Sequence, residues 1–357
     1  MNQTGTGADM VTLKDVASKM GVSTRAVSHA VNGTGRLAPE TRKKLLTAVR
    51  ELGYRKNYAA STLRSGDSRT IGVVFPSLQM YLYELMVPLE KAFRRHGYSL
   101  IYTFFERKEN HLADFAAAVE RLLQMNVNAI ITPTFEYVPD TSVPIILWGN
   151  DIPGFDCVFP DKLRFSRNII ERLWKMGHRR IGAAGLLREV RYTAMREALK
   201  RHGSSFFMEF SQRTNDDPRK SGIKAIRYYA SLQEKPSVIL FHSDEMAAAA
   251  LGEALRRGIR VPEELSIVGT DNLKAFRDMA PSLATYEASF EKTAELLAEV
   301  TLNRLRHPGM PLQRCGVTRR FVPGDSLCSV TEKGKRSGRK KRSVSARTKK
   351  GGSRHAH

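Results

Sequence analysis

The 357-residue chain is 41% hydrophobic, enough for a sizeable core and two or three domains, and its formal net charge of +22 points to a polyanionic partner, nucleic acid above all. Three scattered cysteines (Cys157, Cys315, Cys328) with no C-x-x-C pair argue against a disulfide framework or a metal site. No apolar run reaches the roughly 18 residues of a membrane span, and MNQTGTGADM lacks the apolar core of an export signal; both point to a cytoplasmic protein with no membrane partner.

Residues 1–10 are expected to be a disordered lead, and translation could start at Met1 or Met10. The charge is concentrated at the two ends: residues 10–66 carry +8 and residues 331–357 carry +10, which, with −1 on residues 1–9, leaves +5 for residues 67–330. From Val11 the spacing predicts short helices. Thr12-Leu13-Lys14-Asp15 is a capping-box pattern opening a helix with Leu13, Val16, Ala17 and Met20 on one face, stopped by Gly21. Ser23 caps a second helix with Ala26, Val27, Ala30 and Val31 inward, ended by Asn32-Gly33. Pro39 opens a third, with Leu45, Leu46, Val49 and Leu52 as its stripe and Gly53 as its end. Two helices joined by a four-residue turn, with a third across them, are the helix-turn-helix layout. This small all-α head is assigned to residues 11–56.

Residues 57–69 read as a linker, of which NYAASTLR is weakly helical. Leu63 there has no obvious core to join, the kind of apolar residue that wedges into a minor groove; the plainer alternative is a linker leucine packed on the core. From Ile71 the grammar changes. IGVVF (71–75), SLIYTF (99–104), AIITP (129–133), PIILW (144–148), RIGAAG (180–185), SVILF (237–241) and LSIVG (265–269) are short β-rich runs, with helical stretches such as Glu84 to His96 and Leu112 to Gln124 between them. Alternation of this kind predicts parallel sheets wound on both faces, and the strand count fits two Rossmann-like lobes over residues 70–330. Residues 331–357 are low-complexity, basic and expected to be disordered.

In a helix-turn-helix the second helix enters the major groove. Thr24, Arg25, Ser28 and His29 fall on the face not used by its apolar residues. Arg25 suits bidentate contact with guanine, and His29 a single bond to guanine N7 or O6. Ser23 and Asn32, at the helix ends, suit phosphates that set register.

The stretches VTLKDVASKMGVSTRAVSHAVNG, APETRKKLLTAVRELGY and LRSGDSRTIGVVFP resemble the lactose/galactose repressor (LacI/GalR) family. So do LWKMGHRRIG (173–182), SDEMAAAALGEALRRGIRVPEELSIVGTDN (243–272) and PSLATYE (281–287), so the resemblance runs from about Val11 to about Asp325. It implies a periplasmic-binding-protein-like two-lobed core and a homodimer. It also implies a hinge helix at Tyr58–Leu63 that orders on operator DNA, with Leu63 as the wedge into the central step of a near-palindrome. Thr12, Asn57, Tyr58 and Ala60 join the DNA-contacting set. The family usually has Arg where His29 stands, so the outer bases read here differ.

The resemblance also implies a small effector, usually a sugar or sugar phosphate and sometimes a purine, between the lobes. Arg191 matches an arginine that binds effector hydroxyls, and Asp271 a carboxylate that does so from the other lobe. Ser243 stands where an Asn is common. Ser77, Tyr81, Tyr83 and Trp148 complete the expected set; aromatics near strand ends stack on the apolar face of a sugar ring, although each could equally be core. SLQMYLYELM replaces the usual Asn-Pro-aromatic turn, and Gly149, Asn150 and Asp151 displace the usual polar residue, so the pocket is not a standard one. No cofactor, metal or enzymatic motif is expected. The reading from sequence is therefore a transcriptional regulator, most simply a repressor, that binds operator DNA under the control of a carbohydrate effector. The alternative is an effector-independent architectural DNA-binding protein working through the basic tail.

Overall fold

A computed structural model describes residues 11–54, 67–76, 80–105, 111–133, 139–212 and 216–330. The expected hinge helix with Asn57, Tyr58, Ala60 and Leu63, together with Ser77 and the basic tail, lies outside the described residues. The chain divides into two compact units, the head up to Ser68 and a larger unit from Arg69 onward.

In the head, α1 (Leu13–Met20), α2 (Thr24–Asn32) and α3 (Pro39–Glu51) follow from local chemistry. Thr12 and Asp15 form a reciprocal capping box on α1, and Gly21 closes that helix at φ 64°. Ser23 Oγ accepts from the Ala26 amide to open α2, and Gly33 closes it at φ 69°. The connection between the two helices is residues 21–23. Val16, Ala17, Val27, Ala30, Leu45 and Ala48 form the core. The expected stripe on α3 is off at one position: Ala48 is buried, whereas Leu46 is only partly covered and stands apart from this cluster.

The larger unit has two parallel sheets. The first runs in the order β11-β5-β4-β3-β1-β2, with β1 Thr70–Pro76, β2 Ser99–Phe105, β3 Ala129–Pro133, β4 Ile145–Trp148, β5 Asp156–Pro160 and β11 Arg314–Val317. Helices α4 (Met80–Arg94) and α10 (Phe290–Arg306) cover one face through Leu82, Leu85, Leu89, Phe93 and Leu297. Helix α5 (His111–Gln124) covers the other through Phe115, Ala118, Val119 and Leu122. The second sheet runs β7-β6-β8-β9, with β6 Ile181–Gly185, β7 Met208–Ser211, β8 Val238–Phe241 and β9 Ser266–Val268. Helices α6 (Lys162–Lys175) and α7 (Val190–Arg201) pack on one side of it; α8 (Pro218–Ser231) and α9 (Asp244–Arg256) pack on the other. A short antiparallel pair, β10 (Thr285–Glu287) with β12 (Arg320–Val322), adjoins β9 through a bridge between Val268 and Ala284.

All seven predicted strands are present, and α4 begins four residues earlier than the predicted Glu84. Five strands were not anticipated: β5, β7, β10, β11 and β12. Each is short, and several carry polar residues. In β5 the buried Asp156 is held by Arg304 Nε at 2.7 Å and by the Gln313 amide at 2.8 Å, partners remote in sequence. The chain passes between the two sheets at residues 160–162, 287–290 and 317–320. No described helix is long and apolar enough to cross a membrane.

Candidate nucleic-acid interface and ligand cleft

The head presents the start of α2 to solvent. Thr24 and Arg25 are exposed, and Ser28 is half-buried. Thr12 and Ser23 spend side-chain hydrogen bonds on capping; the box draws the Asp15 carboxyl below its usual range, chiefly through the Thr12 amide. Asn32 Nδ2 donates to Ser28 Oγ at 3.2 Å, so these two act as a pair. His29 differs from a freely projecting reader. Its Nδ1 lies 3.1 Å from Thr34 Oγ1, and its ring rests on Gly35. A Cβ on Gly35, whose φ is 70°, would sit 2.7 Å from that ring. Arg42, from α3, donates to the carbonyls of His29, Thr34 and Gly35 at 3.2–3.4 Å and fixes this corner. Thr34, Gly35 and Arg42 were not singled out from sequence, because their role is to orient His29 rather than to touch a base.

In the larger unit, a cleft of about 390 Å³ opens between the two sheets. Tyr81, Trp148, Arg191, Ser243 and Asp271 line it. Tyr83 does not; it lies on α4, 52% exposed and outside the cleft. Tyr81 stacks on Trp148 with ring centroids 5.3 Å apart and an interplanar angle of 16°, and this pair forms the aromatic wall. Arg191 Nε donates to Glu189 Oε2 at 3.0 Å, and Nη1 to the His242 carbonyl at 3.2 Å. Asp271 Oδ1 accepts from Arg319 Nη1 at 3.0 Å. The expectation that Arg191 and Asp271 face each other from opposite lobes is corrected: Arg191 follows β6 and Asp271 follows β9, both strands of the second sheet. Ser243 caps α9, its Oγ accepting from the Met246 amide.

Asp271 has a left-handed φ of 122°, a conformation non-glycine residues rarely adopt. Its backbone is fastened on both sides, Asp271 N–H to the Tyr286 carbonyl and the Ala288 N–H to the Asp271 carbonyl. Lys162, Glu189, His242 and Arg319 also line the cleft and were missed in sequence. The signals for two of them were adjacency: Glu189 lies two residues before Arg191, and His242 directly precedes Ser243. Arg319 lies in a connection between two unpredicted strands. Burial pushes the Glu189 carboxyl up, but Arg191, His242 and Lys162 outweigh it and hold it down at about 2. Burial, reinforced by Arg191, presses His242 down to about 3, so its imidazole is neutral at pH 7.

Comparison with known proteins places both units. The signature of bacterial regulatory proteins of the lacI family matches residues 12–57, and the periplasmic binding protein-like domain matches residues 170–327. The HTH-type transcriptional repressor PurR of Pasteurella multocida is 30% identical over 296 residues, which cover 78% of this chain and 87% of that protein. The chain belongs to the LacI family. Its members are DNA-binding transcriptional regulators, not enzymes. A second LacI-family relative, PurR of Pectobacterium atrosepticum, is 29% identical over 317 residues, covering 83% of this chain and 91% of that protein. Among solved LacI-family structures, the Lac repressor dimer bound to operator and the anti-inducer ONPF superposes with a TM-score of 0.77 at 24% identity, covering 90% of this chain and all of the other. The CelR–cellobiose complex superposes at 0.64 with 21% identity, covering 89% of this chain and all of the other. At these identities the superpositions establish the shared architecture.

Proposed function

We propose that this LacI-family regulator represses transcription by binding a near-palindromic operator as a dimer, and that a small polyhydroxylated ligand in the cleft sets its operator affinity. The observation that carries the reading is the capped, solvent-facing start of α2, where Thr24 and Arg25 stand clear of the head's core. Arg25 reads guanine, His29 reads an outer base through the imidazole edge not turned to Thr34, Ser23 and Asn32 set register on phosphates, and Thr12, Thr24 and Ser28 complete the contacting set. Asn57, Tyr58, Ala60 and Leu63 supply the hinge contacts, with Leu63 as the minor-groove wedge.

Two features support the rest of the reading. Exposed apolar residues occur on both lobes: Tyr83, Val87 and Phe104 on α4 and β2, and Tyr228 and Leu255 on α8 and α9. These suit burial against a second copy of the chain. The cleft joins an aromatic wall to paired charged side chains, the combination that suits a polyol, and fold relatives have been solved with cellobiose and with glucose. Ligand binding between the lobes would shift their relative angle and so the fit to the two half-sites.

The test is selection of binding sites from random duplex DNA at near-physiological salt, using the full chain and a form ending at residue 330. A near-palindrome with a central pyrimidine–purine step, selected by both forms, is expected. Loss of any enriched motif, with affinity disappearing in the shortened form, would instead assign binding to the basic tail.

A further inference from the structure

A second concavity of about 470 Å³ lies between the C-terminal half of α6 and the β10–β12 pair. Asn168, Arg172, Lys175, Tyr286, Phe321 and Ser329 are among its lining residues. It shares only Arg319 with the effector cleft. A concavity of this size has room for a small organic molecule. With every lining residue counted, its charge is positive. Arg172, Lys175 and Arg319 face one carboxylate among the described lining residues, Glu171. Arg319 is held from the cleft side by Asp271 at 3.0 Å, and Glu171 is turned to His202 at 2.9 Å. With Glu171 and Asp271 both counted in full, one positive charge remains in excess.

Arg172 and Lys175 are exposed, and exposed cations are solvated; by themselves they make no site. The second observation is the hydroxyl of Tyr286. This residue is 3% exposed, wedged between Phe165 and Phe321 with ring centroids 4.9 and 5.3 Å away. Its Oη is buried and closes no hydrogen bond. A buried hydroxyl left unpaired is costly, and phenylalanine would fill the same space without it. Burial pushes the hydroxyl up to about 12, with the neighbouring Arg172 guanidinium opposing. Arg172 is itself steadied over the Phe321 ring, 4.2 Å from its centroid. Lys175 follows Arg172 by three residues on α6, so the two side chains emerge as neighbours on one face. Two cations and an orphaned hydroxyl thus converge on one hollow.

We infer that this hollow is a second ligand site, separate from the effector cleft, for a small organic phosphate monoester. The phosphate sits between Arg172 and Lys175 and accepts from the Tyr286 hydroxyl, with the carbon skeleton against Phe321 and Met176. A phosphate is favoured over a carboxylate by the donors: three separate groups converge, and a phosphate monoester offers three terminal oxygens at one centre. A dicarboxylate would spread its two charges apart, whereas Arg172 and Lys175 stand side by side. The space beyond the cations exceeds what a bare phosphate ion fills, which points to an ester.

The experiment is calorimetric titration of the full-length protein at constant ionic strength and at pH 8, where a phosphate monoester is dianionic. The probes are glycerol 3-phosphate, glucose 6-phosphate, inorganic phosphate, succinate, glycerol and glucose. Wild type, the double variant Arg172→Gln/Lys175→Gln and Tyr286→Phe are compared, and the Tm of each ligand-free protein is recorded. At least one ester should bind about tenfold more tightly than inorganic phosphate, succinate and its own neutral counterpart. The double variant, changed only at exposed side chains, should weaken that binding about tenfold. Tyr286→Phe should weaken it about fivefold while leaving the ligand-free Tm equal or higher, a split that a purely structural hydroxyl would not give. Ester binding undiminished in the double variant would place it on the basic tail or in the cleft and overturns the inference. Undiminished binding in Tyr286→Phe, or a lowered Tm there, also overturns it. So does equal binding of inorganic phosphate or succinate, or no binding by either ester.

Discussion

Arg319 Nη1 donates to Asp271 Oδ1 across 3.0 Å, joining the connection between β11 and β12 to the loop after β9, with both side chains 9% exposed. Removing one partner of such a buried pair leaves the other charge uncompensated. Asp271→Asn should therefore lower stability by about 2–4 kcal/mol, read by denaturant unfolding. The same variant should lose the change in operator affinity on adding ligand. A full ligand response in the variant would remove Asp271 from the binding set.

At the head, Gly35→Ala introduces a methyl 2.7 Å from the His29 ring, at a residue whose φ is 70°. Backbone strain alone costs about 1 kcal/mol. The specific effect is displacement of the imidazole, so the outer base preference in binding-site selection should broaden while the preference assigned to Arg25 persists. An unchanged selected motif would show that His29 reads no base.

Helical glycine to alanine usually stabilises by up to about 1 kcal/mol, but Gly222 should go the other way. A Cβ there would meet the Met246 carbonyl oxygen at 2.2 Å, backbone against backbone, where α8 crosses α9. Separating two packed helices outweighs the propensity gain, and Gly222→Ala should destabilise by about 2–3 kcal/mol in thermal unfolding. A gain in Tm would show that the two helices can separate at little cost.

Buried Asp244 supplies the pH dependence. Burial, with Asp271 nearby, raises its carboxyl from 3.8 to about 7. The folded state thus holds a proton that the unfolded state releases near pH 4, so the carboxyl's contribution to stability becomes less favourable from about pH 4 to about pH 7 and levels off above. An amide can keep both hydrogen bonds, accepting from the Leu273 amide and donating to Thr285. Asp244→Asn should be near neutral at pH 4.5 and stabilising by about 2–4 kcal/mol at pH 8, measured by urea unfolding. Equal effects at the two pH values would remove the raised carboxyl.

The head and the sheet alternation were legible because their signals are local: a cap, a glycine stop, a run of β-branched residues. The capping box of Thr12 and Asp15 and the cap by Ser23 needed only adjacent residues. The cleft was half legible. Arg191 and Asp271 stand in recognisable stretches, yet their arrangement was misjudged, because which sheet β9 joins is a property of topology. Arg319 and Lys162 were invisible for a related reason. Each takes its meaning from a partner far along the chain, and neither belongs to a periodic pattern. Tyr83 stands near a strand end in the sequence, as Tyr81 does, but the helical spacing from Tyr81 turns it to the other side of α4.

Lys162 and Arg319 lie within or directly beside two of the segments where the chain passes between the sheets. In the proposed mechanism the lobes turn about these segments, so a molecule bound there is held close to the axis. Displacement in a rigid body grows with distance from its axis, so a fraction of an ångström gained at Lys162 becomes a much larger sweep at the far edge of each sheet. The long arm of this lever belongs to the outer surfaces, and the short arm to a handful of hydrogen bonds.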